Sequence, residues 1–164
     1  MYGAALGADF MRPRGGEHGM ACETDDQPAN QLAIVDHTRP IGPLTPVRDS
    51  AWPAALPAEA APLFAPLRAL DTLPRRPLVA DSFPVGVPVR LLPDSLAGPV
   101  LISFSRVAYS ADGRRALVYG VKKCRHFTAA DEEEGSIGFA FLLPLVRRAD
   151  AWASSSEPLY LTID

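Results

Sequence analysis

The stretch Leu101–Lys123, LISFSRVAYSADGRRALVYGVKK, decides how the rest of the chain is read. Two apolar runs flank Asp112-Gly113. A dipeptide of that kind is a strong short-range hairpin signal, because both central positions can take a positive φ. The spacing predicts a strand over 101–109 paired antiparallel with a second over 116–121. Ser105 and Arg106 interrupt the first run. Strict alternation places Arg106 on the same face as Ile102 and Phe104, where a core is expected, and Ser105 on the other face. An arginine in a core is costly unless its guanidinium is paired or reaches the surface. Arg106 is therefore expected to pin the long loop or a chain end onto the sheet, with Asp112, Glu132–Glu134 or free carbonyls as partners. The competing role is to grip the carboxylate or phosphate of a ligand.

Working outward, IGFAFLLPLV at 137–146 puts Ile137, Phe139, Phe141, Leu143 and Leu145 on one face. Gly138, Ala140, Leu142 and Pro144 take the other. Neither face is polar, which predicts a central strand covered on both sides. The segment between, KKCRHFTAADEEEGS, reads as a long exposed loop. Upstream, LAIV at 32–35 is a short strand. Leu63, Leu67 and Leu70 recur at i, i+4, i+7, the stripe of an amphipathic helix over about 58–70 that Pro66 must kink or divide. Val85, Val87, Val89 and Leu91 alternate with polar or small residues, and Pro88 marks that run as an edge strand. Trp152 and the segment 158–163 suggest a further turn and a closing strand. Residues 1–30 show no apolar periodicity and read as a disordered arm. Residues 31–164 then form a single α+β domain. An antiparallel sheet of about four to six strands is expected, with one or two short helices packed on one face.

A chain of 164 residues can bury roughly two-thirds of its unfolded surface, so it needs no metal or disulfide to fold. Seventeen prolines, most of them between Pro40 and Pro99, forbid long helices and central strands in that region. Sixteen basic and nineteen acidic residues give a net charge of −3. That balance leaves no electrostatic footprint for nucleic acid or an anionic membrane surface. No apolar run approaches the ~20 residues of a membrane span, and the N-terminus lacks the basic start and apolar core of a signal peptide. As written, the sequence reads as soluble and cytoplasmic, although a trimmed export signal would leave the same picture. Oligomeric state is not legible.

Candidate chemistry is sparse. His37, between Asp36 and Thr38 at the end of a predicted strand, has the residue types of an acid–base pair, but a solvated turn is the commoner setting. Cys124 and His126 lie too few and too close for a zinc site, which needs three or four ligands. Cys22 and Cys124 could pair only if the fold brought their Cα atoms within about 7 Å, and are expected to be free thiols. The contiguous acids Asp131–Glu134 lack the alternate spacing and turn glycine of a calcium loop. No nucleophile elbow and no phosphate-binding glycine pattern occurs. The reading points away from an enzyme, with no cofactor, no metal and no catalytic residues. Ser105, Arg106, His37 and Cys124 are the candidate binding or structural residues. The rival reading is a small hydrolase-like enzyme centred on Asp36 and His37.

The segment ISFSRVAYSADGRRALVYGVKKC, followed by GFAFLLPLVRRADAW, resembles the C-terminal part of an uncharacterised family of bacterial exported domains. Its members show the pattern lSRvgFn…ALVYv…CG.LCG.G…LL.k..G.W.v. Ser105, Arg106, Val107, Tyr109 and Ala116–Tyr119 match its first half; Gly138, Leu142, Leu143 and Trp152 match the second. LAIVDHT and LFAPLRALDTLPRRPL echo its upstream strand and helix. The family's paired cysteine-glycine motif is reduced here to Cys124 and an acidic loop, so its chemistry does not carry over. The resemblance implies fold and export rather than an activity. Together these readings favour a non-catalytic domain that binds a protein or a cell-envelope component.

Overall fold

The computed structural model describes residues 32–42, 46–79, 89–93, 100–127 and 133–161. Residues 1–30, with Cys22, lie outside the described residues, as do Val85, Val87 and Asp131–Glu132. The elements in chain order are β1 (Leu32–Val35), α1 (Pro46–Ala55) and α2 (Phe64–Ala69). Then come β2 (Val89–Leu92), β3 (Val100–Tyr109), β4 (Arg115–Phe127), β5 (Glu133–Arg148), β6 (Ala151–Ser154) and β7 (Leu159–Leu161). Single 3₁₀ turns, Ala61–Leu63 and Leu70–Thr72, bracket α2. Pro62 opens the first of these turns. Pro66 sits in the first turn of α2, where a missing N–H costs nothing. The expected 58–70 helix is thus divided, but at Leu63/Phe64 and Ala69/Leu70 rather than at Pro66, which lies inside α2. Helix α1 escaped the sequence reading because its proline-rich sequence has no clear apolar stripe.

The sheet runs in the order β2-β1-β3-β4-β5-β6, with β7 also paired to β5. These seven strands exceed the four to six expected. The sheet is mixed rather than antiparallel, since β1 lies parallel to both β2 and β3. Parallel neighbours need a crossover, and the connection from Asp36 onward, which contains α1 and α2, supplies it between β1 and β2. Strand β2 is an edge strand, as read. The β3–β4 hairpin forms as read, but only Gly113 takes a positive φ, at 66°. Its amide donates to the Ser110 carbonyl at 2.9 Å, closing a four-residue turn, Ser110–Gly113, that ends on a left-handed glycine. Strands β4 and β5 pair from Arg115↔Val146 out to Phe127↔Glu133. What reads as a long polar loop is therefore mostly ladder: Lys122–Phe127 and Glu133–Ser136 pair across β4 and β5, and their polar composition hides them from a periodicity search.

Two buried clusters occupy the two sides of the sheet. Ile34, Ile102, Phe104, Val118, Phe141, Leu143 and Leu145 form one. Leu91 of β2 and Trp152 of β6 both pack on it, although they come from opposite ends of the strand order. The sheet must curl around this side to bring them there. The second cluster joins Leu56, Leu63, Phe64 and Leu67 to Ala108, Leu117, Tyr119, Val121 and Leu142. Strand β5 is central and buried on both faces over 140–145, as its apolar pattern implies. Pro144 is tolerated there for a reason of register. Arg147 N–H donates to Arg114 O across β4, whereas Ser155 N–H donates to Pro144 O on the far side. Backbone groups of even-numbered residues thus face β6 and β7, and Pro144 falls between the last pair of β6 (Leu145↔Ser154) and the last of β7 (Leu142↔Leu159). Its carbonyl still accepts from Ser155 N–H, and its missing N–H costs only the reciprocal bond of that one pair, at the point where β6 ends.

Gly120 faces Phe141 directly across the β4–β5 ladder. A Cβ on Gly120 would lie 2.1 Å from Phe141 Cζ. The phenyl ring occupies the space that a side chain would need. Gly120→Ala is expected to destabilise the domain by about 1–3 kcal/mol through overpacking. In a Phe141→Leu background the same substitution should cost measurably less, which paired thermal melts of the double-mutant cycle will read.

The turn of the β3–β4 hairpin carries its own pH dependence. Asp112 Oδ1 accepts from Ser110 Oγ at 2.6 Å and from Arg114 N–H at 3.0 Å. The Ser110 hydrogen bond, then the Arg114 amide, hold its carboxyl below the ordinary range. A carboxyl with a depressed folded pKa stabilises the fold above its unfolded pKa, and that contribution is lost as pH falls through the folded value. Asp112→Asn should therefore flatten the acid limb of a melting-temperature-versus-pH curve while leaving its alkaline limb unchanged.

Candidate functional site

The Ser105–Arg106 pair is a β-bulge. Phe104 pairs with Gly120 and Val107 with Val118, so two residues of β3 oppose the single Tyr119 of β4. The extra residue resets the alternation. Ile102 and Phe104 before the bulge, and Val107 after it, all pack with the first cluster, while Ala108 joins the second. Arg106 does not share the face of Ile102 and Phe104. It lines a cleft with Ser105 and with Leu67 and Leu70 from the helical run. The strict alternation behind the earlier expectation fails at one residue, and that residue is the arginine.

Ser105 repairs the ladder that the bulge breaks. Tyr119 N–H donates to Ser105 Oγ at 3.0 Å in buried surroundings, and Ser105 Oγ donates to the Arg106 carbonyl at 2.6 Å. The hydroxyl thereby serves a buried backbone donor opposite the bulge. Arg106 Nη2 donates to the Pro74 carbonyl at 2.7 Å. The segment it holds folds back along the end of β1: Thr38 N–H donates to Arg76 O, Leu78 N–H to Asp36 O, and Arg76 N–H to Thr38 Oγ1. The arginine therefore pins the chain that leaves the helices, rather than the acidic loop, and its partner is a carbonyl.

The other walls of the cleft are built by the crossover. Arg39 N–H donates to Phe104 O at 2.8 Å, which carries the chain beyond β1 to the edge of the bulge. Its guanidinium reaches Ser103 Oγ at 3.3 Å. Asp71 accepts from Ile41 N–H at 2.9 Å and from Arg68 at 2.6 Å, and Arg68 also donates to the Gly42 carbonyl. This clamp ties the end of α2 to residues 41–42. Tyr119 lies under the clamp, stacked on Trp52 at 6.4 Å between ring centroids. Burial raises its phenol pKa, Arg39 opposes that shift and Asp71 adds to it.

The cleft has room for about one water-sized group, 10 Å³, and is lined by Arg39, Arg75 and Arg106 against the single carboxylate of Asp71. Asp71 is already engaged by Arg68. Arg106 Nε is buried and has no hydrogen-bond acceptor. A buried donor in that state needs a water or ligand atom to complete it. The arrangement can bind an anion and holds no nucleophile poised beside a base.

The remaining sequence candidates are not brought to this cleft. His37 is exposed, with Nδ1 2.8 Å from Asp36 Oδ1, and its backbone bridges to Pro77. Among the described residues no serine hydroxyl is hydrogen-bonded to it. Cys124 is placed by its backbone alone, in β4 opposite Val100 and Ile137, not at the opening of a loop. Lys122, read as part of that loop, lies opposite Ile102, where burial lowers its pKa. Among the described residues no three metal-ligating side chains come together, and no helix is long and apolar enough to cross a membrane. Sequence reasoning missed Arg39, Arg75 and Asp71, which become neighbours only through the crossover. No protein-family model matches the chain, and neither curated proteins nor solved structures yield a relative.

Replacing Ser105 by Ala leaves Tyr119 N–H buried without an acceptor. The expected cost is about 1–3 kcal/mol, seen as a lower urea midpoint with an unchanged slope.

Proposed function

We propose that this chain is a non-catalytic binding domain that receives an acidic side chain of a protein partner between Arg39, Arg75 and Arg106. The observation that carries the reading is the buried, unpartnered Nε of Arg106 in a cleft where three guanidinium groups outnumber one occupied carboxylate. The small size of the cleft favours a single protruding group over a free metabolite, which would need a pocket of roughly 300 Å³ or more. One carboxylate oxygen would accept a charge-assisted hydrogen bond from Nε while a neighbouring guanidinium attracts the other. The uncharged rim supplied by Leu70 and Leu73 suits the shoulder of a protein surface better than a solvated ion. In this reading the α+β domain, with its helical run on one face of the sheet, is a scaffold that holds the bulge rigid. The resemblance to bacterial exported domains would extend the partners to envelope components, which the same carboxylate chemistry would recognise.

The test is a titration of the protein with an acetylated tetraglutamate peptide, followed by NMR at the arginine Nε–Hε resonances. The Arg106 resonance is expected to shift in a saturable manner. Arg75→Gln, at an exposed position, should leave the melting temperature unchanged and weaken peptide binding by about tenfold, or 1.4 kcal/mol. Arg106→Ala should lose both binding and stability, since Pro74 is then released. An Arg106 resonance that moves no more than in salt of matched ionic strength would overturn the proposal and leave the pair with a structural role alone.

A further inference from the structure

A second concavity lies at the opposite end of the helical run. It measures about 350 Å³ and opens between Glu59, Ala60 and Leu63 on one wall and Arg115, Leu145 and Arg148 on the other. That volume falls within the range of small-molecule sites, roughly 300–1,000 Å³. Arg115 pairs with Val146 in the β4–β5 ladder, so Arg148, two residues on, stands diagonally from it on the same face. Like charges at such positions repel unless an anion lies between them. Among the described residues neither guanidinium has an ion-pair partner, and the Glu59 carboxylate has none either. Asp112 lies close enough to feel Arg115, but it takes its hydrogen bonds from Ser110 and the Arg114 amide. The groove therefore holds two positive groups and one negative group on facing walls without closing them into a salt bridge. Leu63 and Pro144, both buried, form its floor, since Pro144 shares the sheet face of Leu142 and Arg148.

We infer that this groove binds a small zwitterion of the amino-acid class. Its carboxylate would face Arg115 and Arg148, its ammonium Glu59, and an aliphatic side chain would lie on Leu63 and Pro144. A simple anion would satisfy the arginines and leave Glu59 opposing it. A simple amine would do the reverse. Only a ligand carrying both charges on an apolar body complements all three. This site shares no residue with the Arg106 cleft, so the two proposals stand or fall separately.

Isothermal titration calorimetry of the full chain tests it with three probes: L-leucine, 4-methylpentanoate, which lacks the ammonium, and 3-methylbutylamine, which lacks the carboxylate. Leucine is expected to bind saturably, and each stripped analogue more weakly by about tenfold or more. Glu59→Gln should bring the two affinities together, weakening leucine and strengthening 4-methylpentanoate, which no longer faces a like charge. Arg148→Gln should weaken leucine and 4-methylpentanoate alike. Both substitutions are at exposed positions, and unchanged thermal melts will confirm that the fold is intact. Absence of saturable leucine binding, equal binding of leucine and 4-methylpentanoate, or indifference to Glu59→Gln would each overturn the inference.

Discussion

A guanidinium cannot share a face with Ile102 and Phe104 in a dry core, and the architecture turns on how the chain avoids that outcome. The bulge at Ser105–Arg106 absorbs one residue, so Val107 returns to the apolar side while Arg106 leaves it. A strand without the bulge would have to bury either the charge or nothing of its second half, because a one-residue slip reverses every side chain beyond it. The bulge would in turn leave Tyr119 N–H unserved, and Ser105 Oγ supplies the acceptor. Serine and arginine are therefore two parts of one device. One residue makes the irregularity affordable, and the other exploits the direction it opens.

From that point the consequences propagate through backbone rather than side chains. Arg106 holds the Pro74 carbonyl, and residues 76–78 zip antiparallel onto 36–38. The same stretch of β1 exit contacts Phe104 O through Arg39 N–H. The crossover is thus fastened to the sheet on both sides of the bulge. Asp71 fastens it a third time by joining Ile41 N–H to Arg68. Because that carboxylate is engaged, the cleft keeps the positive field of its remaining arginines. Electrostatic character here is a by-product of how the crossover is tied down.

The parts of this fold legible in the sequence are those governed by local periodicity. Strand β1 at LAIV, the β3–β4 hairpin and the apolar centre of β5 need only alternation and a turn. Strand direction was not legible: β1 lies parallel to β3, and nothing within either strand encodes that choice. The outer halves of β4 and β5 were missed because a ladder rich in polar residues has the composition of a loop. The bulge left a trace that could have been read. Ile102, Phe104, Val107 and Tyr109 are spaced two, three and two, a single break in an otherwise regular period. The cleft itself was half legible, since Ser105 and Arg106 stood out as misfits. Arg39, Arg75 and Asp71 are unremarkable residues in their local sequence, and only the crossover makes them neighbours.

The location of both charged concavities follows from a mismatch of lengths. Strand β5 has 16 residues and spans about 53 Å at 3.3 Å each. The helical run of 12 residues from Ala61 to Thr72, half α and half 3₁₀, spans only about 21 Å. A layer that short covers the middle of the sheet face and leaves surface beyond each end. The Arg106 cleft lies against Leu67 and Leu70 at the C-terminal end of the run; the Arg115–Arg148 groove lies against Ala60 and Leu63 at its N-terminal end. Apolar residues dominate where helix meets strand, and charged residues can stand on the same sheet face only past those limits. Pro74 sets the C-terminal limit, because the residue before a proline is held out of the helical region and Leu73 is extended. The proline-rich composition that first appears as an obstacle to structure thus helps to leave this face of the sheet uncovered beyond the run.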